Sequence, residues 1–175
     1  LWIGSSSGLS CYDEGSGMFT TYRPNDEPEQ PLLNHITVLH EDHSGNFWVG
    51  SRYGLCAFDR RTGIFGDRVL LDNLLGCYGN QANMYSLESD SLGYLWMRIN
   101  YSLVRVKPLP GGKLDLESIS KHEFPKNDFK LNALTGMHIE NPSIAWLGIP
   151  GEGLIQVFIR RKSFQTVLPD YNKET

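Results

Sequence analysis

No apolar run in the 175-residue sequence extends beyond a few residues, as in "VFI". A bilayer crossing by a helix needs about 20 consecutive apolar residues, so nothing here spans a membrane that way. Basic excess is also missing. Sixteen Lys and Arg stand against 20 Asp and Glu, and a net charge of −4 argues against a nucleic-acid partner. Cysteine is scarce: Cys11, Cys56 and Cys77 form no CxxC pair and are odd in number, so neither a zinc knuckle nor a complete disulfide framework follows, and buried free thiols are the expectation. The sequence opens "LWIGSSSG" without a methionine, a basic leader or a signal-type apolar stretch, as a piece of a longer chain would.

Catalytic signatures are missing too. There is no GxSxG elbow, no Cys and His pairing with a third member, and no phosphate-cradling loop. "GSGMF" and "PGEGL" are glycine-rich but follow strand-like segments as hairpin turns. No catalytic residue, metal ligand or cofactor is therefore assigned. No window carries a sustained 3.6-residue apolar period, whereas 40% hydrophobic content is ample for a packed core. The reading is all-β.

What the sequence does contain is a repeat. Trp2, Trp48, Trp96 and Trp146 are separated by 46, 48 and 50 residues. "LWIGSSSGLSCYDEGSGMF" and "FWVGSRYGLCAFDRRTGIF" match almost column by column, while "LWMRINYSLVRVKPLPGGKL" and "AWLGIPGEGLIQVFIRRKSF" have drifted. Upstream, "ITVLHEDHSGNFW" aligns with "MYSLESDSLGYLW", placing Asp42 on Asp90 and Gly45 on Gly93. His40 then falls on Glu88 and His43 on Ser91, so neither histidine belongs to the repeat. The fourth unit, "MHIENPSIAW", reads as having a shortened turn without glycine.

Each unit divides into four short strands. In the second these are "ITVLHE", "FWVGS", "LCAFD" and "IFGDRVLL", with "DHSGN", "RYG" and "RRTG" between them as turns. Units of this length with four antiparallel strands match the blade of a β-propeller, and a β-propeller segment of about four blades is predicted, with units near 1–30, 31–78, 79–130 and 131–175. The four tryptophans then pack blade against blade.

"HEDH", residues 40–43, invites a metal reading. His40 and His43 are three apart, a spacing that brings side chains together on a helix but not where a strand enters a turn, and His-Glu-x-x-His requires one more residue. Both histidines are therefore expected to be surface substitutions.

The sequence closely resembles the two-component regulator propeller repeat. Glu41, Asp42, Gly45, Asn46, Trp48, Gly50, Gly54, Leu55, Asp59, Thr62, Gly63 and Phe65 fit that pattern; in the third unit Arg98 and Ser102 replace its glycines. The resemblance implies an extracytoplasmic, periplasmic sensor segment of a hybrid two-component histidine kinase that responds to carbohydrate. It touches the membrane only through its parent protein, and the kinase parts are not in these residues. A propeller lyase or hydrolase and a protein-interaction scaffold are the rival readings.

With strands a to d running outward from the axis, the b-to-c turns and d-to-a connections share one end, where propellers generally bind ligands. Arg52, Tyr53, Asn100, Tyr101, His35, Gln81 and Asn83 lie there and suit an oligosaccharide or small polar ligand. Four blades form an open arc. Several hundred Å² of apolar face at each end would forgo about 10 kcal/mol at about 25 cal/mol per Å², so a longer propeller or a homodimer through the propeller edges is expected.

Overall fold

The computed structural model describes residues 1–24, 34–51, 54–70, 83–100, 102–123, 136–149, 153–158 and 166–167. Turn chemistry cuts these into sixteen strands among the described residues, grouped in four antiparallel sheets. The first holds β1 (Trp2–Ser5), β2 (Gly8–Asp13) and β3 (Met18–Tyr22), in that order. The second holds β4 (Ile36–Glu41), β5 (Phe47–Ser51) and β6 (Gly54–Asp59), whose outer edge pairs with both β7 (Ile64–Phe65) and β8 (Val69–Leu70). The third holds β9 (Met84–Ser89), β10 (Leu95–Ile99), β11 (Ser102–Leu109) and β12 (Lys113–Glu123). In the fourth, β13 (Gly136–Asn141), β14 (Ile144–Ile149), β15 (Gly153–Phe158) and β16 (Thr166–Val167) follow one another.

The expected fourth strand "IFGDRVLL" is thus two short strands on one neighbour: Gly66 still donates to the Ala57 carbonyl at 2.8 Å in the register of β7, and the pairing has slipped by one residue where Val69 meets Leu55. Inner strands lie side by side, β4 against β9 and β9 against β13. Among the described residues the sheets form an open arc of a β-propeller.

One interaction recurs at each inner hairpin. Asp42 Oδ1 accepts the N–H groups of Ser44 and Asn46, while its Oδ2 accepts Asn46 Nδ2 at 3.0 Å and the Trp48 indole N–H at 2.8 Å. Asp90 repeats this: Oδ1 takes the N–H groups of Leu92 and Tyr94, and Oδ2 takes the Trp96 indole at 2.8 Å. Gly45 and Gly93 complete these turns at φ +80° and +78°, a backbone that side chains with a Cβ rarely adopt. The fourth sheet divides the same duties. Glu140 Oε2 accepts the Trp146 indole at 2.6 Å, and Asn141 Oδ1 accepts the Ser143 N–H. Its turn is tighter, as expected, yet the acid stays six residues before the indole because the two strands extend further into the hairpin.

The indoles point one way around the arc. Trp48 (0% exposed) leaves β5 and enters a core made largely by the third sheet, with Met84, Leu87, Leu95, Met97 and Val104 around it. Trp96 (3% exposed) likewise enters the fourth sheet, against Met137, Ile139, Ala145 and Leu147. Trp2, half-buried, meets the rings of Phe47 and Phe58 in the second sheet with centroids 5.7 and 5.3 Å away. Leu9, Leu55 and Leu103 accompany them, each on the strand that follows its tryptophan. The residue after each indole faces backward instead: Val49, Met97 and Leu147 are buried against the preceding sheet.

Sheet ends reveal the same logic by default. Ile3, the counterpart of Val49, is 39% exposed, and Leu154, the counterpart of Leu55, is 56% exposed. Close approach explains the repeated glycine two residues past the indole. A Cβ on Gly50 would sit 2.4 Å from Val38 Cγ2 and 2.7 Å from Met84 Sδ, and one on Gly4 would sit 2.7 Å from Ile36 Cγ2. Cys11 and Cys56 are free thiols, and burial pushes Cys56 up to about 11; Cys77 lies outside the described residues.

Burial alone would raise Asp42, but the indole, the Asn46 amide and two backbone N–H groups outweigh it and hold the carboxyl below its ordinary 3.8. Its contribution is therefore present above that value and lost as pH falls through the depressed one. Asp42→Ala should cost about 3 kcal/mol in chemical denaturation near neutral pH, through orphaned N–H donors. The gap between the native chain and Asp42→Asn should shrink below about pH 4.

Candidate functional site

Sheet order places the β5-to-β6 and β10-to-β11 turns at the same end as the connections entering β4, β9 and β13. This is the end singled out from the sequence. Asn83 and Asn100 meet there. The Asn100 N–H donates to the Asn83 carbonyl at 3.0 Å, and Asn100 Oδ1 accepts the Asn83 N–H at 2.9 Å. Asn100 holds φ at 49°, a left-handed conformation that asparagine tolerates better than most residues with a Cβ. His35, half-buried, precedes β4 as Asn83 precedes β9, so the two occupy equivalent places in neighbouring sheets. Arg52, Tyr53, Tyr101 and Gln81 lie outside the described residues.

Two residues beside this pair escaped the sequence reading. Pairing between β9 and β10 skips Tyr85, which bulges out 53% exposed, and Arg98 lays its guanidinium over that ring, 4.4 Å from the centroid. Arg98 is itself only 4% exposed. It occupies the position where Gly4, Gly50 and Gly148 stand in the other sheets. Alignment of the repeats already contained the signal: an arginine replacing the glycine of a close-packed column requires room that the neighbouring sheet must leave. Ser86, a small residue, pairs with Arg98 across the sheet, and Gly136 occupies the Ser86 place on β13 with open space where a Cβ would be. A guanidinium on an aromatic face, two joined asparagines and a bulged tyrosine can hydrogen-bond and stack a polar ring compound.

The opposite end carries an open cavity of about 480 Å³ between the second and third sheets, lined by Asn46, Phe47, Asp59, Arg60 and Arg61 and by Gly111–Gly112. Arg60 there is already engaged, bonded to Glu41 at 2.8 Å and resting over the Phe47 ring at 4.9 Å.

The histidines of "HEDH" are not simple surface substitutions. His40 Nε2 lies 2.9 Å from Ser89 Oγ, and His43 Nδ1 lies 3.1 Å from the same atom. They converge because His40 pairs with Trp48 and so faces the next inner strand, while the turn carries His43 back over it. Glu88, paired with Trp96, makes the corresponding link one sheet on, accepting the Ile139 N–H at 3.0 Å with His138 Nδ1 3.4 Å away. Among the described residues no group of three or more His, Cys, Asp or Glu is placed to hold a metal ion.

Residues 31–53 match the family model described as two component regulator propeller. The match covers one repeat within the second unit. No curated protein sequence matches the chain. Among solved structures, the extracellular domain described as that of the hybrid two component system BT4673 from B. thetaiotaomicron aligns over 97% of this chain and 21% of its own, at 20% identity and a TM-score of 0.68. The corresponding domain of BT3049 from the same organism aligns over 95% and 22%, at 19% identity and 0.64. Virginiamycin B lyase from Staphylococcus aureus aligns over 98% and 52%, at 15% identity and 0.63. These likenesses show the propeller fold, and the chain spans only about a fifth of the two extracellular domains it matches.

Asn100→Asp keeps both the tolerated backbone and the acceptor for the Asn83 N–H, and should leave stability nearly unchanged. Asn100→Ala loses both and should cost about 1–2 kcal/mol, read by thermal unfolding of the purified chain.

Proposed function

We propose that this chain is part of the extracytoplasmic, periplasmic ligand-sensing propeller of a hybrid two-component sensor histidine kinase, itself without catalysis. The observation that carries this reading is the two component regulator propeller match, set in a chain whose fold aligns almost end to end with stretches of two extracellular domains of such systems. Among the described residues no helix is long and apolar enough to cross a membrane. The span and kinase of the parent belong to the proposal.

In this reading the units near 1–30, 31–78, 79–130 and 131–175 are blades of a longer ring, and oligosaccharide or a small polar ligand binds at the end that carries Asn83 and Asn100. His35 precedes β4 at that end, and Arg52, Tyr53, Gln81 and Tyr101 are proposed as further ligand contacts. Ligand contact alters packing between blades, or between two copies joined at the propeller edges, and the parent's membrane segment carries the change onward.

A panel of bacterial and plant oligosaccharides screened by thermal shift tests the reading. A true ligand at about a hundredfold excess over its Kd adds about 2.7 kcal/mol and raises Tm by several degrees. Arg52→Ala and Tyr53→Ala should remove that rise without lowering the ligand-free Tm. Turnover of a panel member would instead favour a lyase or hydrolase, for which the similarity to virginiamycin B lyase speaks, and a stable protein complex without glycan binding would favour a scaffold.

A further inference from the structure

At the second-to-third sheet junction a single hydroxyl is gripped by two imidazoles from the adjoining sheet. Ser89 Oγ carries one proton, so in the neutral state it donates to one ring nitrogen and accepts from the other, and His40 Nε2 and His43 Nδ1 supply those two roles at 2.9 and 3.1 Å. We propose that His40, Ser89 and His43 form a pH-responsive clasp between the second and third sheets, closed near neutrality and loosened as His40 takes up a proton.

Protonation of His40 at Nε2 obliges that ring to donate toward Ser89 Oγ, so the hydroxyl loses its acceptor there and its proton turns away. The surroundings do not compensate. Burial acts most strongly on His40 and lowers it; Glu88, Asp42 and Glu41 favour its charged form, His43 opposes it, and the balance lies below the ordinary imidazole value of 6.5. Each nearby carboxylate is already committed: Glu41 to Arg60, Asp42 to the Trp48 indole and its own turn, and Glu88 to the Ile139 N–H and His138 on the following sheet. β5, which pairs with β4, contributes no charged side chain. Because the unfolded chain binds the proton more readily than the folded one, the stabilisation from His40 is complete above 6.5 and is lost as pH falls below it.

The junction that follows is built from different groups. There the bridge runs from a carboxylate, Glu88, to a backbone N–H, and does not depend on a neutral imidazole. Acidification should therefore loosen one seam of the arc selectively.

Amide hydrogen exchange of the purified chain at about pH 5 and about pH 7.5, corrected for intrinsic rates, reads this directly. Protection in β4 and β9 should fall severalfold at the lower pH while β13 and β14 hold. The double variant His40→Gln, His43→Gln keeps amide groups toward Ser89 without a titrating ring and should abolish the difference. Unchanged protection in the native chain, or the same pH dependence in the double variant, would overturn the proposal. Should the variant fail to fold, NMR titration of the native chain decides: the Ser89 amide should follow the His40 ring with a shared midpoint below 6.5, and a Ser89 signal indifferent to that titration refutes the clasp.

Discussion

The structure depends on one hydrogen bond repeated at six-residue spacing, from an indole N–H to the carboxylate that caps the inner hairpin. In the second and third sheets the carboxylate divides its oxygens between two tasks. One oxygen gathers two backbone N–H groups and so fixes the turn; the other takes the indole and so fixes the ring. A buried tryptophan needs a partner for its single donor, and an ionised acceptor provides a charge-assisted one. Turn geometry and ring orientation thereby become the same constraint. Glu140 and Asn141 show that the constraint, more than the residue, is what repeats: two side chains share what one aspartate does elsewhere.

Fixing the ring fixes a direction. Trp2, Trp48 and Trp96, each with the leucine on the next strand, enter the following sheet, and Val49, Met97 and Leu147, each one residue past its indole, enter the preceding one. Every internal sheet is thus apolar on both faces yet asymmetric, so the sheets stack in one sense only. A period-two strand makes this unavoidable, since neighbours along β5, β10 or β14 face opposite ways. At the inner edge a second layer of links reinforces the stack, from the position paired with each tryptophan to the adjoining inner strand: His40 to Ser89, then Glu88 to the Ile139 N–H. The scaffold repeats while its fasteners vary, and this variation gives successive junctions different chemistry.

The tryptophan spacing made the architecture legible because a packing role recurs wherever a sheet meets a sheet. Asp42, Gly45 and the first three strands of the second unit could be read for the same reason. The inner-edge chemistry resisted reading. His40 and His43 were excluded as a converging pair on the ground that a strand entering a turn separates residues three apart. Convergence instead came from a third residue, Ser89, 46 positions beyond His43 and brought close by the stacking of β4 against β9. Arg98 was visible as a departure from glycine, but its burial on Tyr85 needed the bulge in β9 and the small residues Ser86 and Gly136.

The sequence alone determined the strand period, the turn positions, the acid-to-indole spacing and hence the all-β repeat, since each of these depends on residues within one hairpin. The tertiary structure decided which face each indole enters and which polar groups meet at the inner edge. Those outcomes depend on side chains about a blade apart in sequence, whose distance is set by the stacking of one sheet on the next.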